Sequence, residues 1–390
     1  MTDFDKLTDR RGSFSYKWDV ADGELPMWVA DMDLECPEAV KRAILGVAEG
    51  GIFGYSYTPD EYFRAVADFY LRRHGALIDR EWMVYSNGAV AAISSIVRRI
   101  GSAGDSVLIQ APVYNIFYNS IINNAREVLS SDLVYDGRGY SIDFSDLEEK
   151  LSREKTTLMI LCNPHNPVGK VWSREELSRI AELCRNYGVT VIADEVHAEI
   201  VNKSCQYTPF FSVSETAREI SVTITSASKT FNIAGLQSAS LVVPNEALRY
   251  RVWRGVNTDE VGEPNAFSMK ANIAAFTECD GWVDSLVDYL FENRRLAAEY
   301  INRNIEGLYA TSGEATYLLW IDISRVEEDS VKFCRRLREL TGLYLSDGAE
   351  YGECGRSFVR MNLGTQRSRV LDGLERLKRG TEAIVKEKSL

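Results

Sequence analysis

Basic residues are in deficit: 45 Lys and Arg stand against 57 Asp and Glu, for a formal net charge of −12. A protein that binds a nucleic-acid backbone gains affinity by neutralising phosphates and releasing counterions, and this chain has no surplus of cations with which to do so. Nucleic acid is therefore not an expected partner, although a local basic pocket for a small anion remains open. Histidine is scarcer still. The three residues at 74, 165 and 197 are too far apart to suggest a metal cluster. The seven cysteines, at 36, 162, 184, 205, 279, 334 and 354, are odd in number and contain no C-x-x-C pair. Neither a zinc site nor a disulfide framework is expected; reduced thiols and a cytoplasmic location are. No apolar run is long enough to span a bilayer. The start, Met1-Thr-Asp-Phe-Asp-Lys6, is charged and lacks the apolar core of a secretory signal. Three motifs are also missing: a phosphate-binding P-loop, a G-x-G-x-x-G after a strand, and a G-x-S-x-G nucleophile elbow. Their absence argues against nucleotide hydrolysis, dehydrogenase and α/β-hydrolase chemistry.

What is present is an ordinary globular balance. The 390 residues are 45% hydrophobic and 26% charged, enough for about two or three domains. Short apolar runs at 82–86, 107–110, 157–162, 189–194 and 221–225 read as buried strands. Amphipathic stretches such as 89–100 and 174–187 lie between them. This alternation predicts an α/β domain with a mainly parallel sheet, on which ligands sit outside the carboxyl ends of the strands. Residues 282–305 carry apolar positions at helical spacing and predict a long amphipathic helix leading out of that domain. Beyond it, a charge-rich helical stretch (327–340) and strand-like pieces (316–321, 357–362) predict a smaller α+β domain. No internal repeat or low-complexity segment interrupts the pattern.

Candidate chemistry begins with Lys229, the only charged residue between Glu219 and Glu246, where the overall composition would place about seven charges. A lysine is usually a solvated surface group. Among apolar and small neighbours it becomes a desolvated amine of lowered pKa, suited to a Schiff base. Asp194 closes the apolar run at 189–194. It can be a helix N-cap, or the carboxylate that keeps a pyridine nitrogen protonated, which pyridoxal 5′-phosphate (PLP) requires of its protein. His197 follows three residues later and could face the same site. In Asn163-Pro-His-Asn-Pro-Val-Gly169, a turn after a strand, the Asn166 amide could donate to a phenolate oxygen. Ser86-Asn-Gly-Ala-Val90 joins a strand to a helix. Such a turn brings the backbone of Gly88, Ala89 and Val90 close to a phosphate, and Ser226 could add a hydroxyl. Tyr114, just past a strand, could pack as core or stack on a flat ring. Arg360 lies in an apolar strand, where an arginine calls for an anion: a substrate carboxylate, or an internal salt bridge.

Taken together and in this order, these segments resemble fold-type I PLP enzymes of the class I/II aminotransferase superfamily over nearly the whole chain. The resemblance is closest to the MalY/PatB-type cystathionine β-lyase branch. The segments that carry it are Trp28-Val-Ala-Asp-Met-Asp33, Gly51-Ile-Phe-Gly-Tyr-Ser56, Leu161-Cys-Asn-Pro-His-Asn-Pro-Val-Gly-Lys-Val-Trp172, Asp194-Glu-Val-His197 and Thr225-Ser-Ala-Ser-Lys-Thr-Phe-Asn-Ile-Ala-Gly235. The resemblance implies a large PLP-binding domain at 46–284 with a seven-stranded type of sheet sandwiched by helices. It implies a small domain made of 1–45 and 285–390. It implies Lys229 as Schiff-base lysine and general base, Asp194 as ring-nitrogen partner, Asn166 at the ring oxygen and Tyr114 stacked on the ring. Gly88, Ala89, Val90 and Ser226 would hold the phosphate, with Tyr55 reaching in from a second subunit of a homodimer, and Arg360 would bind the substrate α-carboxylate. Two positions depart from general aminotransferases. His197 stands where many have a tyrosine, and Gln237, eight residues after the lysine, where many have a phosphate-binding arginine; both fit the lyase branch. The function implied is carbon–sulfur β-elimination from cystathionine or a related L-cysteine S-conjugate, giving thiol, pyruvate and ammonia. An aminotransferase using the same residues is the first alternative. A PLP-bound regulatory protein with little catalysis is the second, and the carboxylate-binding Arg360 argues against it.

Overall fold

The apolar run expected as a strand near 157–162 is an interior strand of a seven-stranded sheet in the computed structural model, which describes residues 2–388. Its strands are β1 (Met83–Ser86), β2 (Ser106–Ile109), β3 (Glu127–Ser130), β4 (Thr156–Cys162), β5 (Thr190–Asp194), β6 (Ser221–Thr225) and β7 (Ala239–Val242). The spatial order is β1-β7-β6-β5-β4-β2-β3. Neighbours from β3 through β6 pair in parallel, and β7 runs antiparallel to both β6 and β1. Helices cover both faces, so β4, β5 and β6 are buried on both sides and read in sequence as continuous rather than alternating apolar runs.

Two strands escaped the sequence pattern. β3 is an edge strand whose side chains are half-buried or exposed and which opens on Glu127, so its apolar signal is weak. β7 is fully buried, but its Ala and Ser leave little β-branched or aromatic character beside the lysine segment.

The register decides where the chemistry emerges. Cys162 pairs with Asp194, and Asp194 with Ile224, so the chain leaves β4, β5 and β6 side by side along one rim. β1 points the same way and ends at Ser86, bringing the turn at Gly88 to that rim.

The C-terminal part forms a four-stranded antiparallel sheet of β8 (Tyr309–Ala310), β9 (Leu318–Asp322), β10 (Ser346–Asp347) and β11 (Phe358–Asn362). The helices Asp280–Asn304, Ser330–Thr341 and Arg367–Lys388 share a second apolar core with it. The N-terminal segment crosses between the two sheets. Leu25–Pro26 pairs in parallel with Leu343–Tyr344, and the buried Lys17 ammonium meets the Asp33 carboxylate at 2.9 Å. Asp33 also accepts from the Trp18 indole at 2.7 Å. Helix Glu38–Gly50 then packs on Ser268–Glu278, adding Val40 to the core beside β1 and β7. The expected boundary at 45/46 falls within the first of these helices, and that at 284/285 within Asp280–Asn304.

Candidate active site

A cavity of about 540 Å³ opens at the rim where β1, β5 and β6 end. Lys229, Asp194, Tyr114, Ser226 and the turn Gly88–Val90 all line it, as does Gln237. Lys229 sits in the short helix Ala227–Thr230, which Ser226 caps by accepting from the Ser228 amide at 3.1 Å. The Ser226 hydroxyl donates to the Ser238 carbonyl at 2.6 Å. The Lys229 ammonium donates to the Ala30 carbonyl at 2.7 Å. Burial and the Arg360 charge together pull its pKa down to about 8, against the opposite pull of Asp31 and Asp194.

Asp194 accepts from the Val196 amide at 3.3 Å, an Asx-type contact that meets part of its N-cap reading. Burial nevertheless raises its pKa to about 6, because neither that amide nor the Lys229 charge offsets the lost solvation. Such a carboxylate is short of a cationic partner. At the opposite end of the cavity, Gly88 has φ +99, a conformation that only glycine adopts easily. The helix Ala89–Ile100 that follows has no side-chain N-cap, so its first amides point into the cavity end without a side-chain acceptor. Tyr114 leans edge-on against Phe117 and is pushed up to about 12 by burial and the Asp194 charge.

Arg360, Asn166 and His197 form a second group beside this cavity. The Arg360 guanidinium donates to Asn166 Oδ1 at 3.1 Å and to the Trp28 carbonyl at 2.8 Å. Its Nε is buried without a partner, and among the described residues no carboxylate lies within ion-pair distance of it. The internal salt bridge that competed with an anion-binding role is therefore not formed. His197 is buried, with Nδ1 unpartnered, and is held neutral: burial, then the Lys229 and Arg360 charges, lower its pKa to about 3. Tyr55 is the outlier. It is fully exposed and does not line its own chain's cavity, and it lies in the segment 51–59, which has no regular structure.

Several residues of the site were not singled out from sequence. The motif Trp28-Val-Ala-Asp-Met-Asp33 was noted only for its resemblance. It proves to be a wall of the site, clamped by Arg360, Asn362 and Asn232 and offering the Ala30 carbonyl to Lys229. Tyr317, which donates to the same carbonyl at 2.9 Å, also went unnoticed. Nothing in its local sequence separates it from core tyrosines.

A desolvated lysine amine and an under-paired carboxylate at the ends of parallel strands, with uncapped helix amides opposite, define the class. The aminotransferase class I and II family matches residues 26–377, and the chain belongs to it. Within that family it is 39% identical to cystathionine beta-lyase PatB of Bacillus subtilis, over 96% of this chain and 98% of that protein. It is 33% identical to protein MalY of Escherichia coli, over 98% of this chain and all of that one. Among solved structures, cystalysin from Treponema denticola, which contains a pyridoxal 5′-phosphate cofactor, matches with a TM-score of 0.94. That match has 28% sequence identity and covers 98% of this chain and 99% of the other.

Proposed function

We propose that the protein is a PLP-dependent carbon–sulfur β-lyase acting on cystathionine or related L-cysteine S-conjugates. The observation that carries this reading is the convergence of Lys229, Asp194 and a carboxylate-free Arg360 at one rim, in a chain 39% identical to a cystathionine beta-lyase.

The residues present fit the cofactor. The carboxylate of Asp194, the desolvated amine of Lys229 and the uncapped amides after Gly88 share one cavity and suit a ring nitrogen, an aldehyde carbon and a phosphate respectively. When bound, PLP supplies an electrophilic carbonyl for the substrate amine and a protonated ring that draws electron density from Cα. Asp194 would retain the proton on the ring nitrogen, Asn166 and His197 would face the ring oxygen, and Tyr114 would lie along the ring. Gly88, Ala89, Val90 and Ser226 would hold the phosphate, the serine turning its hydroxyl from Ser238. Gln237 at that end is neutral where an arginine would add charge.

Arg360, steadied by Asn166 and Trp28, grips the substrate α-carboxylate through its remaining N–H groups. Lys229, with a pKa near 8, is close to the optimum for moving a proton at neutral pH. Its neutral amine takes the Cα proton, the Cβ–S bond breaks with its electron pair on sulfur, and the thiolate collects a proton. The released enamine takes up water to give pyruvate and ammonia.

The same reading makes the enzyme a homodimer in the cytoplasm. Ile52, Phe53, Tyr55 and Tyr57 stand exposed on one stretch of chain, an apolar surface suited to a second copy whose phosphate site Tyr55 would reach.

The test measures pyruvate released from L-cystathionine by the purified enzyme against glutamate formed from 2-oxoglutarate with several amino donors. Pyruvate release should dominate. Keto-acid-dependent transfer faster by more than about tenfold, or ~1.4 kcal/mol in barrier, replaces the lyase with an aminotransferase.

A further inference from the structure

Every carbonyl from Trp28 to Met32 receives a side-chain donor. Arg360 reaches Trp28, Asn362 reaches Val29 and Asp31, and Asn232 reaches Met32. These donors are fixed. Ala30 differs, because one of its two donors is Lys229, the amine that has to move, and the other is Tyr317.

Tyr317 is aimed at Ala30 by features the site does not otherwise use. Thr316 before it has φ +64, a left-handed conformation that β-branched residues rarely adopt and that persists only where the surroundings enforce it. The enforcement comes from Arg294, a buried guanidinium with no carboxylate partner among the described residues. It donates to the carbonyls of Ala315 at 3.0 Å and Leu318 at 2.6 Å, on either side of the kink. Both of these bonds come from one terminal nitrogen, while Nε is buried without a partner, and burial lowers the guanidinium pKa to about 10. The Gly169 carbonyl holds the same turn through the amides of Glu314 at 2.7 Å and Ala315 at 2.9 Å.

We propose that Tyr317 is a positioning residue for the Lys229 amine, fixing the Ala30 carbonyl where the free ammonium docks and weakening that carbonyl's hold on it. The inference rests on the cofactor role of Lys229 given above. A carbonyl oxygen has two lone pairs. The tyrosine hydroxyl occupies one and leaves the other for Lys229, and two donors on one oxygen compete. The ammonium formed when Lys229 takes a proton thus has a defined resting place that it can leave. The other groups facing the amine are Arg360, Asp31, Asp194 and the neutral His197, whose ring meets Tyr317 edge-on at 6.0 Å between centroids. None of them is altered by Tyr317→Phe.

The experiment strips the full-length protein of cofactor and follows covalent PLP capture by absorbance as a function of pH, since only the neutral amine reacts. Tyr317→Phe frees the whole acceptor for the ammonium, so the capture midpoint should move up by about half a pH unit. Difluorotyrosine at position 317, a stronger donor, should move it down. This keeps the test sharp even if the phenylalanine variant folds poorly. A midpoint unmoved by the difluoro substitution overturns the proposal while leaving the cofactor reading intact. Capture that survives Lys229→Ala overturns both.

Discussion

Replacing Arg360 with lysine keeps a cation in β11 and removes the fork. In the wild type, two of the five N–H groups of Arg360 are committed, one to Asn166 at 3.1 Å and one to Trp28 at 2.8 Å. Three remain, the buried Nε among them, and a substrate carboxylate can take two in the parallel geometry that guanidinium offers. A lysine ammonium is a shorter point charge that cannot keep both protein anchors and a bidentate grip. Losing one charge-assisted hydrogen bond corresponds to about 1.5–3 kcal/mol, or roughly a 10- to 150-fold loss in kcat/KM. Most of it should appear in KM, because the carboxylate is bound before and during the reaction alike. Pyruvate release measured across L-cystathionine concentrations gives both constants. The control is the same thioether with its cysteine-side carboxylate converted to the amide. That substrate should be poor for the wild type and no poorer for Arg360→Lys. An unchanged KM, or an equal loss on both substrates, refutes the assignment of Arg360 to the carboxylate.

Asp194→Asn should abolish turnover yet raise the melting temperature of the cofactor-free protein at pH 7.5. A carboxylate whose folded pKa is raised from 3.8 to about 6 contributes stability below pH 4 that is lost as pH rises through 6. Removing the charge recovers at most about 3 kcal/mol, and an unchanged or lower melting temperature by calorimetry contradicts this. Tyr55→Phe should leave the melting curve of the protein in place while PLP dissociates faster on dilution, and light scattering of the wild type should give a dimer; a fully active monomer rules out the shared site. Borohydride reduction of the holoenzyme followed by peptide mapping should label Lys229, and a label on any other lysine contradicts the assignment.

Much of this was legible before any coordinate. The strands at 157–162, 189–194 and 221–225 stood out because a parallel sheet covered by helices on both faces makes unbroken apolar runs. Lys229 stood out because burial had cleared every other charge from its neighbourhood in sequence. Asp194 was placed at a strand end by the same pattern. The Ala30 carbonyl was not legible: it is a backbone atom 199 residues from the amine it meets, and every residue has one. Nor was Tyr317, whose role depends on a left-handed turn held by Arg294 rather than on its own neighbours.

On the proposed reading, the charges of the site would couple substrate binding to proton transfer. Arg360 acts on Lys229 across the site and, after burial, is the largest influence lowering its proton affinity; Asp31 and Asp194 act in the other direction. In the free site Arg360 has only neutral partners, so its charge is felt in full. A substrate carboxylate on Arg360 cancels that charge in a region of low dielectric, where each charge acts over several ångströms with little screening. The proton affinity of Lys229 would then rise as the substrate binds. The Lys229 amine would thus be a stronger base in the occupied site than in the empty one. A substrate amine without a carboxylate leaves Arg360 charged and Lys229 the weaker base. If Arg360 holds the substrate carboxylate as proposed, it would select α-amino acids twice, once by binding them and once by the basicity their binding confers.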